Sequence, residues 1–355
     1  MRDLVIYKEN EIDIFSNKIS YYKKLGVNHI LVDSFTSVDE NSVNKLFSIC
    51  KSLAANDFKL IVTIDIVDIL KLLLGEEDTI DWDVPKIRNS LYQFINYLTK
   101  YGINSFYFKN IDFLLKYQAY IREFVKNTLT IKEVLAIGET FTNNLSMLNF
   151  LSSSSYNNFS YIKINYKENN EFVSYKEYVG KIQGMDNKFD INYLLSIDNN
   201  FKNFLNYENF PYYSQTLLAA TTYFLRGAVF LKDYQELGLY YKSKSRNDYI
   251  LLKETNDNLS FYQRILSIRK QSKAIMEGKF RQIFDKDKDV FAYIRTYDNK
   301  KVVVFANFSQ KEVMLDIRFH FIDLYDFTYL LGNYGRRKIV KNLLLRPYEF
   351  ISFSK

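Results

Sequence analysis

Cysteine is nearly absent. Cys50 is the only one among 355 residues, which excludes an intrachain disulfide and a cysteine-based zinc site. Histidine is scarce, with only His29 and His320, too few for a three-histidine metal centre. No metal and no cofactor are expected. No apolar run reaches the roughly 18–20 residues that a membrane span needs. The longest candidate, 61–74, is broken by Asp65, Asp68 and Lys71. The opening MRDLVIYKENEIDIF lacks the uninterrupted apolar core of a signal peptide, so a cytoplasmic location is expected. Proline (3), glycine (11) and tryptophan (1) are sparse, which leaves turn signals weak.

What is present is a globular composition: 47% hydrophobic and 25% charged residues, with 30 tyrosines and 30 phenylalanines. That aromatic content excludes disorder over long stretches. The net charge is +7, but acidic residues are interleaved almost throughout and no long basic block appears. The lysines therefore read as solvated surface, and no nucleic-acid partner is expected. The length suits two domains.

Up to residue 277, short β-branched runs alternate with helical patterns. Strands are expected at Leu4–Tyr7, His29–Val32, Lys59–Asp65, Ser105–Phe108, Val134–Ile137, Tyr161–Ile164, Ile191–Ile197 and Ala228–Leu231. Helices are expected at Ile14–Leu25, Asn41–Ala55 and Pro85–Tyr101, between the later strands, and at Ser260–Ser272. Eight strand–helix units imply parallel pairing and a closed (β/α)8 TIM barrel over 1–277. A doubly wound sheet is the rival, but no G-x-G-x-x-G follows the first strand. From 278 to 355 the pattern becomes short strands joined by turns such as Asp298-Asn299, a C-terminal all-β domain. These are Phe280–Phe284, Val290–Thr296, Lys301–Asn307, Glu312–Ile317, Lys338–Leu344 and Tyr348–Phe353.

In a (β/α)8 barrel, active-site residues sit at the C-terminal ends of the strands. The polar residues there are Asp33, Asp65, Asp68, Lys109, Glu139, Asp198, Lys232 and Asp233. Paired carboxylates in such places suggest glycoside hydrolysis, one acid attacking and the other protonating the leaving oxygen. Any one of them can equally be a solvated charge or a helix N-cap. Glu139 stands out, because it ends the apolar strand V-L-A-I-G-E-T.

Several segments, in order along the chain, resemble the α-amylase superfamily, glycoside hydrolase family 13, of the oligo-1,6-glucosidase and α-glucosidase type. They are IFSNKISYYKKLGVNHILV (14–32), FKLIVTIDIV (58–67), IDWDVPKIRNSL (80–91), YIREFVKNTLTIKEVLAIGETF (120–141), FLRGAVFLKDYQELGL (224–239) and FYQRILSIRKQSKAIMEGKF (261–280). The resemblance implies an amylase-type β-sandwich at the C-terminus and an oligosaccharide or α-glucoside as ligand. It assigns the acid/base position to Glu139, the transition-state-stabilising aspartate to Asp198 and the leading substrate aspartate to Asp65.

Departures accompany the matches. Where the family's nucleophile strand reads G-F-R-x-D, this chain has Ser105-Phe106-Tyr107-Phe108-Lys109. Lys109 thus stands at the nucleophile position and Tyr107 at the substrate-binding arginine. The insertion domain after the third strand is absent, and with it the loops that hold the family's calcium. A lysine cannot form a glycosyl-enzyme ester. Beside Glu139 and Asp198 it is expected to pair with them and to lower the Glu139 pKa, the wrong direction for a general acid. The expected function is therefore a degenerate family member without hydrolase activity. The alternatives are an active α-glucosidase using Asp112 or Asp198 as the second carboxylate, and a non-catalytic scaffold for a protein partner.

Overall fold

Alternation of side chains along short strands organises the first part of the molecule. In strand β1 (Val5–Lys8), Ile6 joins an inner cluster while Tyr7 joins the layer shared with the helices. The same alternation recurs in β2 (His29–Val32), β3 (Lys59–Asp65), β4 (Ser105–Lys109), β5 (Leu135–Thr140), β6 (Tyr161–Ile164), β7 (Leu194–Ser196) and β8 (Ala228–Leu231). Leu31, Ile61, Tyr107, Ile137, Tyr161 and Phe230 fill the interior. The computed structural model describes residues 3–9, 15–33, 37–75, 80–129, 134–142, 144–152, 159–165, 172–185, 191–197, 205–206, 208–232, 234–238, 257–320 and 326–355.

All eight strands pair in parallel, in the order β6-β5-β4-β3-β2-β1-β8-β7. Among the described residues a single bridge, Ile162 to Tyr193, joins the two ends, with the Ile162 amide donating to the Asn192 carbonyl at 2.9 Å. The expected (β/α)8 barrel is therefore formed and is nearly closed. Its outer layer contains α1 (Phe15–Lys24), α2 (Glu40–Ala54), α3 (Ile66–Leu74), α4 (Pro85–Lys100), α5 (Asp112–Leu115), α6 (Gln118–Thr128), α7 (Leu145–Ser152), α8 (Phe172–Met185), α9 (Pro211–Tyr223) and α10 (Asp257–Gln271). α11 (Lys273–Glu277) leads out of it.

α3 was not expected from the sequence. It starts directly at the end of β3, with the Asp65 side chain capping it and Gly75 ending it in the left-handed region. A strand running into a helix without a turn residue leaves no boundary signal. β7 is also shorter than expected, three residues from Leu194 to Ser196.

Beyond α11 the chain forms β9 (Lys279–Ile283), β10 (Val290–Tyr297), β11 (Lys300–Asn307), β12 (Val313–Asp316), β13 (Thr328–Gly332), β14 (Asn342–Leu345) and β15 (Phe350–Ser354). A five-stranded antiparallel sheet, β13-β15-β11-β10-β9, faces the two-stranded β12-β14. Val303, Phe305, Leu315, Leu343 and Phe353 pack between them. β13 was not expected, and β14 starts at Asn342 rather than Lys338. The Asp298-Asn299 turn is where it was expected, with Asp298 at φ 51° and Tyr297 paired with Lys300.

The larger sheet is buried on both faces. Phe291, Tyr293, Val304 and Phe350 belong to the same core as the barrel's helices. Polar contacts cross the junction as well. Lys176 of α8 donates to the carbonyls of Phe284, Asp287 and Val290, and Tyr293 donates to the Thr221 carbonyl at 2.9 Å.

Candidate active site

Strand parity brings a ring of polar side chains to the C-terminal mouth of the barrel. Lys8, Asp33, Asp65, Lys109, Glu139 and Lys163 lie an even number of residues beyond an interior residue of the same strand or its extension. Their neighbours Phe106 and Phe108 face the helices instead.

Glu139 is placed by β5 and its partner strand. Gly138 before it faces outward, where a Cβ would stand 2.7 Å from Ile111 Cδ1 and 3.1 Å from the Phe159 ring. Register then sets Glu139 directly beside Lys163 of β6. The Lys163 ammonium donates to Glu139 Oε1 at 2.9 Å, and Asn165 Nδ2 donates to the same oxygen at 2.7 Å. Lys163 also donates to Asn165 Oδ1. Burial pushes the Glu139 carboxyl up. The Lys163 charge and the hydrogen bonds from Asn165, Lys163 and Tyr107 outweigh it, so the pKa lies below the ordinary glutamate value.

Of the two acids expected to pair with Lys109, Glu139 does not, and Asp198 lies outside the described residues. The Lys109 ammonium lies 3.8 Å from Asp33 Oδ1, the same oxygen that Lys8 approaches at 3.0 Å. These side chains are partly solvated, so the contacts contribute little to stability. The partner of Glu139 is Lys163, two residues past an interior tyrosine in Y-I-K-I-N. Parity marks Lys163 as inward, but only the β5–β6 register shows which acid it meets.

Asp65 and Asp112 are engaged in main-chain contacts. Asp65 caps α3 by accepting from the Asp68 amide at 3.4 Å and accepts from Asn110 Nδ2 at 3.1 Å. Asp68 is exposed on α3. Asp112 accepts from Thr140 Oγ1 at 2.8 Å and from the Phe141 amide at 2.9 Å, tying α5 to the end of β5. Tyr107 is buried in the barrel interior, stacked on Phe230 with centroids 6.1 Å apart, and its hydroxyl bonds Glu139. It forms the floor of the site. Lys232 is half-buried at the end of β8. Asp198 and Asp233 lie outside the described residues. No group of three histidine, cysteine or acidic side chains suited to a metal occurs among the described residues, and no helix there is long and apolar enough to cross a membrane.

Behind the mouth is a buried polar layer that the sequence did not single out as a unit. Glu236 Oε1 accepts from the hydroxyls of Tyr7, at 3.1 Å, and Tyr21. Glu9 accepts from Lys18, at 2.9 Å, and Tyr22. Lys18 also donates to the hydroxyl of Tyr234, a residue held at φ 61°.

Comparison with known proteins agrees with this architecture. Residues 290–351 match the α-amylase SusG C-terminal domain family. Over 98 residues the chain is 31% identical to an oligo-1,6-glucosidase of Bacillus cereus, 26% of this chain and 17% of that protein. Over 103 residues it is 32% identical to a trehalose-6-phosphate hydrolase of Bacillus subtilis, 29% of this chain and 18% of that protein. These matches span less than a fifth of each relative's length. The crystal structure of Bacillus licheniformis trehalose-6-phosphate hydrolase superposes with a TM-score of 0.80 at 14% identity, covering 99% of both chains. A trehalulose synthase superposes with a TM-score of 0.76 at 14% identity, covering 99% of both chains. The chain thus shares its fold with these enzymes, its C-terminal sheets with the α-amylase SusG C-terminal domain family, and a quarter or so of its sequence with an oligo-1,6-glucosidase and a trehalose-6-phosphate hydrolase.

Proposed function

We propose that this chain is a degenerate member of the α-amylase superfamily, glycoside hydrolase family 13, divided into a barrel of residues 1–277 and a β domain of 278–355, without retaining glycosidase activity. The observation that carries the reading is the charge inversion at the barrel mouth. A retaining glycosidase places a nucleophilic carboxylate about 5–5.5 Å from a protonated acid. Lys109 stands at the position that the resemblance gives to the nucleophile. Its ammonium cannot form the glycosyl ester and repels an oxocarbenium-like charge. Glu139, the matching acid, is paired with Lys163 and ionised at neutral pH, so it has no proton to deliver to a leaving oxygen. Asp112 is held by Thr140 and Phe141, which argues against its service as a substitute nucleophile. An oligosaccharide or α-glucoside remains the ligand class for the mouth, in keeping with the relatives' names.

Hydrolysis of a chromogenic α-glucoside by the purified protein tests this. Wild type, Glu139→Gln and Asp198→Asn are expected to release chromophore no faster than buffer. Turnover by wild type that disappears in Glu139→Gln would falsify the reading. Loss in Asp198→Asn as well would assign the second carboxylate.

A further inference from the structure

At the opposite end of the barrel, the N-terminal face that ordinarily serves stability, the described residues enclose a cavity of about 230 Å³. It lies where β1 begins, between the C-terminal turns of α1 and α10. Its polar lining includes Lys23, Lys24, Ser267, Arg269 and Lys270, with Asp3 as the one acidic side chain.

Arg269 is the buried element of this set. Its guanidinium donates to the carbonyls of Tyr223 and Leu225, each at 2.6 Å, and to that of Gly227. These carbonyls take three of its protons but bring no full opposing charge. Among the described residues no carboxylate forms an ion pair with Arg269, and burial pushes its pKa down to about 10. Lys24 and Lys270 are exposed at the rim and likewise have no carboxylate partner among the described residues. Lys23 reaches only the exposed Asp57, at 3.9 Å.

Helix ends account for part of this pattern. α1 ends at Lys24 and α10 at Gln271, and each C-terminus carries roughly half a negative charge. Two such ends and Asp3 still leave an excess of about two positive charges around the cavity. The Ser267 hydroxyl accepts from Gln271 at 3.2 Å, which leaves its own proton to donate. The volume falls below the roughly 300–1,000 Å³ of pockets for drug-sized molecules. It suits a compact ligand.

We propose that this cavity binds a compact phosphate-bearing anion, held by Lys24 and Lys270 at the rim and by Ser267, with Arg269 supplying positive potential from the floor. The site is independent of the barrel mouth and of whether the mouth is catalytic. A free phosphate ion and the phosphate of a small phosphorylated metabolite share this chemistry.

Calorimetric titration at fixed ionic strength tests the assignment, with inorganic phosphate and glucose 6-phosphate as ligands and chloride and glucose as controls. Wild type is expected to bind one equivalent of phosphate. The double variant Lys24→Gln/Lys270→Gln should bind at least tenfold more weakly while keeping its Tm in phosphate-free buffer. Lys86→Gln/Lys100→Gln, which removes two exposed charges from α4, should bind like wild type. Tighter binding of glucose 6-phosphate than of phosphate supports the site with an organic body in the cavity, and equal binding supports it for the free ion. Absence of phosphate binding beyond chloride, or equal weakening in both double variants, overturns it.

Discussion

Glu236 has no exposed surface, and its Oε2 meets no hydrogen-bond partner among the described residues. Burial raises its pKa from an ordinary 4.5 to about 7, against the opposing pull of the Tyr21 and Tyr7 hydroxyls and Lys18. The folded protein therefore holds a proton that the unfolded chain releases. The stability this confers is full below about pH 4.5 and is lost as pH rises toward 7. At roughly 1.4 kcal/mol per unit the loss is about 3 kcal/mol. Glu236→Gln keeps an acceptor for the two tyrosines and removes the titration. Urea unfolding across pH 4–8 should show wild type losing stability over this window relative to the glutamine variant. Parallel curves would remove Glu236 as the cause. At this scale the sequence was informative wherever position along a strand was enough. Glu139 and Lys109 lie where strand-end reasoning put them, at the mouth. The identity of their partners was not legible, because Lys163 meets Glu139 through strand register, and Lys109 reaches Asp33 past the intervening β3.

Among elements, the entry to β8 is the most constrained. Gly227 has φ 148°, and a Cβ there would stand 2.6 Å from the Tyr193 carbonyl and 2.9 Å from Leu195 Cγ. The Gln183 side chain brackets the preceding residue, accepting from the Arg226 amide at 3.0 Å and donating to the Arg226 carbonyl at 3.1 Å. The backbone thus has no room to relax, and Gly227→Ala combines a disfavoured conformation with a main-chain clash. A loss of about 2–4 kcal/mol is expected, read as a lowered urea midpoint. An unchanged midpoint would mean that β7 and β8 can separate freely. The barrel strands themselves were legible as short β-branched runs between helical patterns. By contrast α3 and β13 escaped notice for local reasons. α3 follows β3 without a loop. β13 is irregular, with a register shift between Tyr329 and Leu331 and its first three residues half-buried or exposed, so it lacks clean alternation.

For the whole molecule, the two kinds of architecture share one core. Arg295 of β10 is fully buried and donates to the Ala274 and Ile275 carbonyls and, at 3.1 Å, to Gln183 of α8. Lys176 supplies the reciprocal contact from α8 into the β9–β10 connection. Unfolding is therefore expected to be one transition, with fluorescence and far-UV dichroism coincident. Lys176→Met should leave carbonyls unpaired at the junction and cost about 1–3 kcal/mol without splitting the transition. Two separated transitions in wild type would show that the β domain stands alone. The sequence conveyed the change of element type near residue 277. It did not convey that the larger sheet is covered on both sides, since that depends on which strand faces meet the barrel's helices.

The link between Ile162 and Tyr193 gives the barrel an asymmetry that its strand count conceals. Seven of the eight junctions around the ring are extended ladders, whereas this one is a single rung among the described residues. A ring of that construction behaves as a band with a clasp rather than as a hoop. Breathing motions are expected to concentrate at the clasp, because among the described residues opening it sacrifices the fewest bonds. The wall of the barrel is thus a sheet with a beginning at β6 and an end at β7, and Glu139 and Lys163 sit beside that beginning.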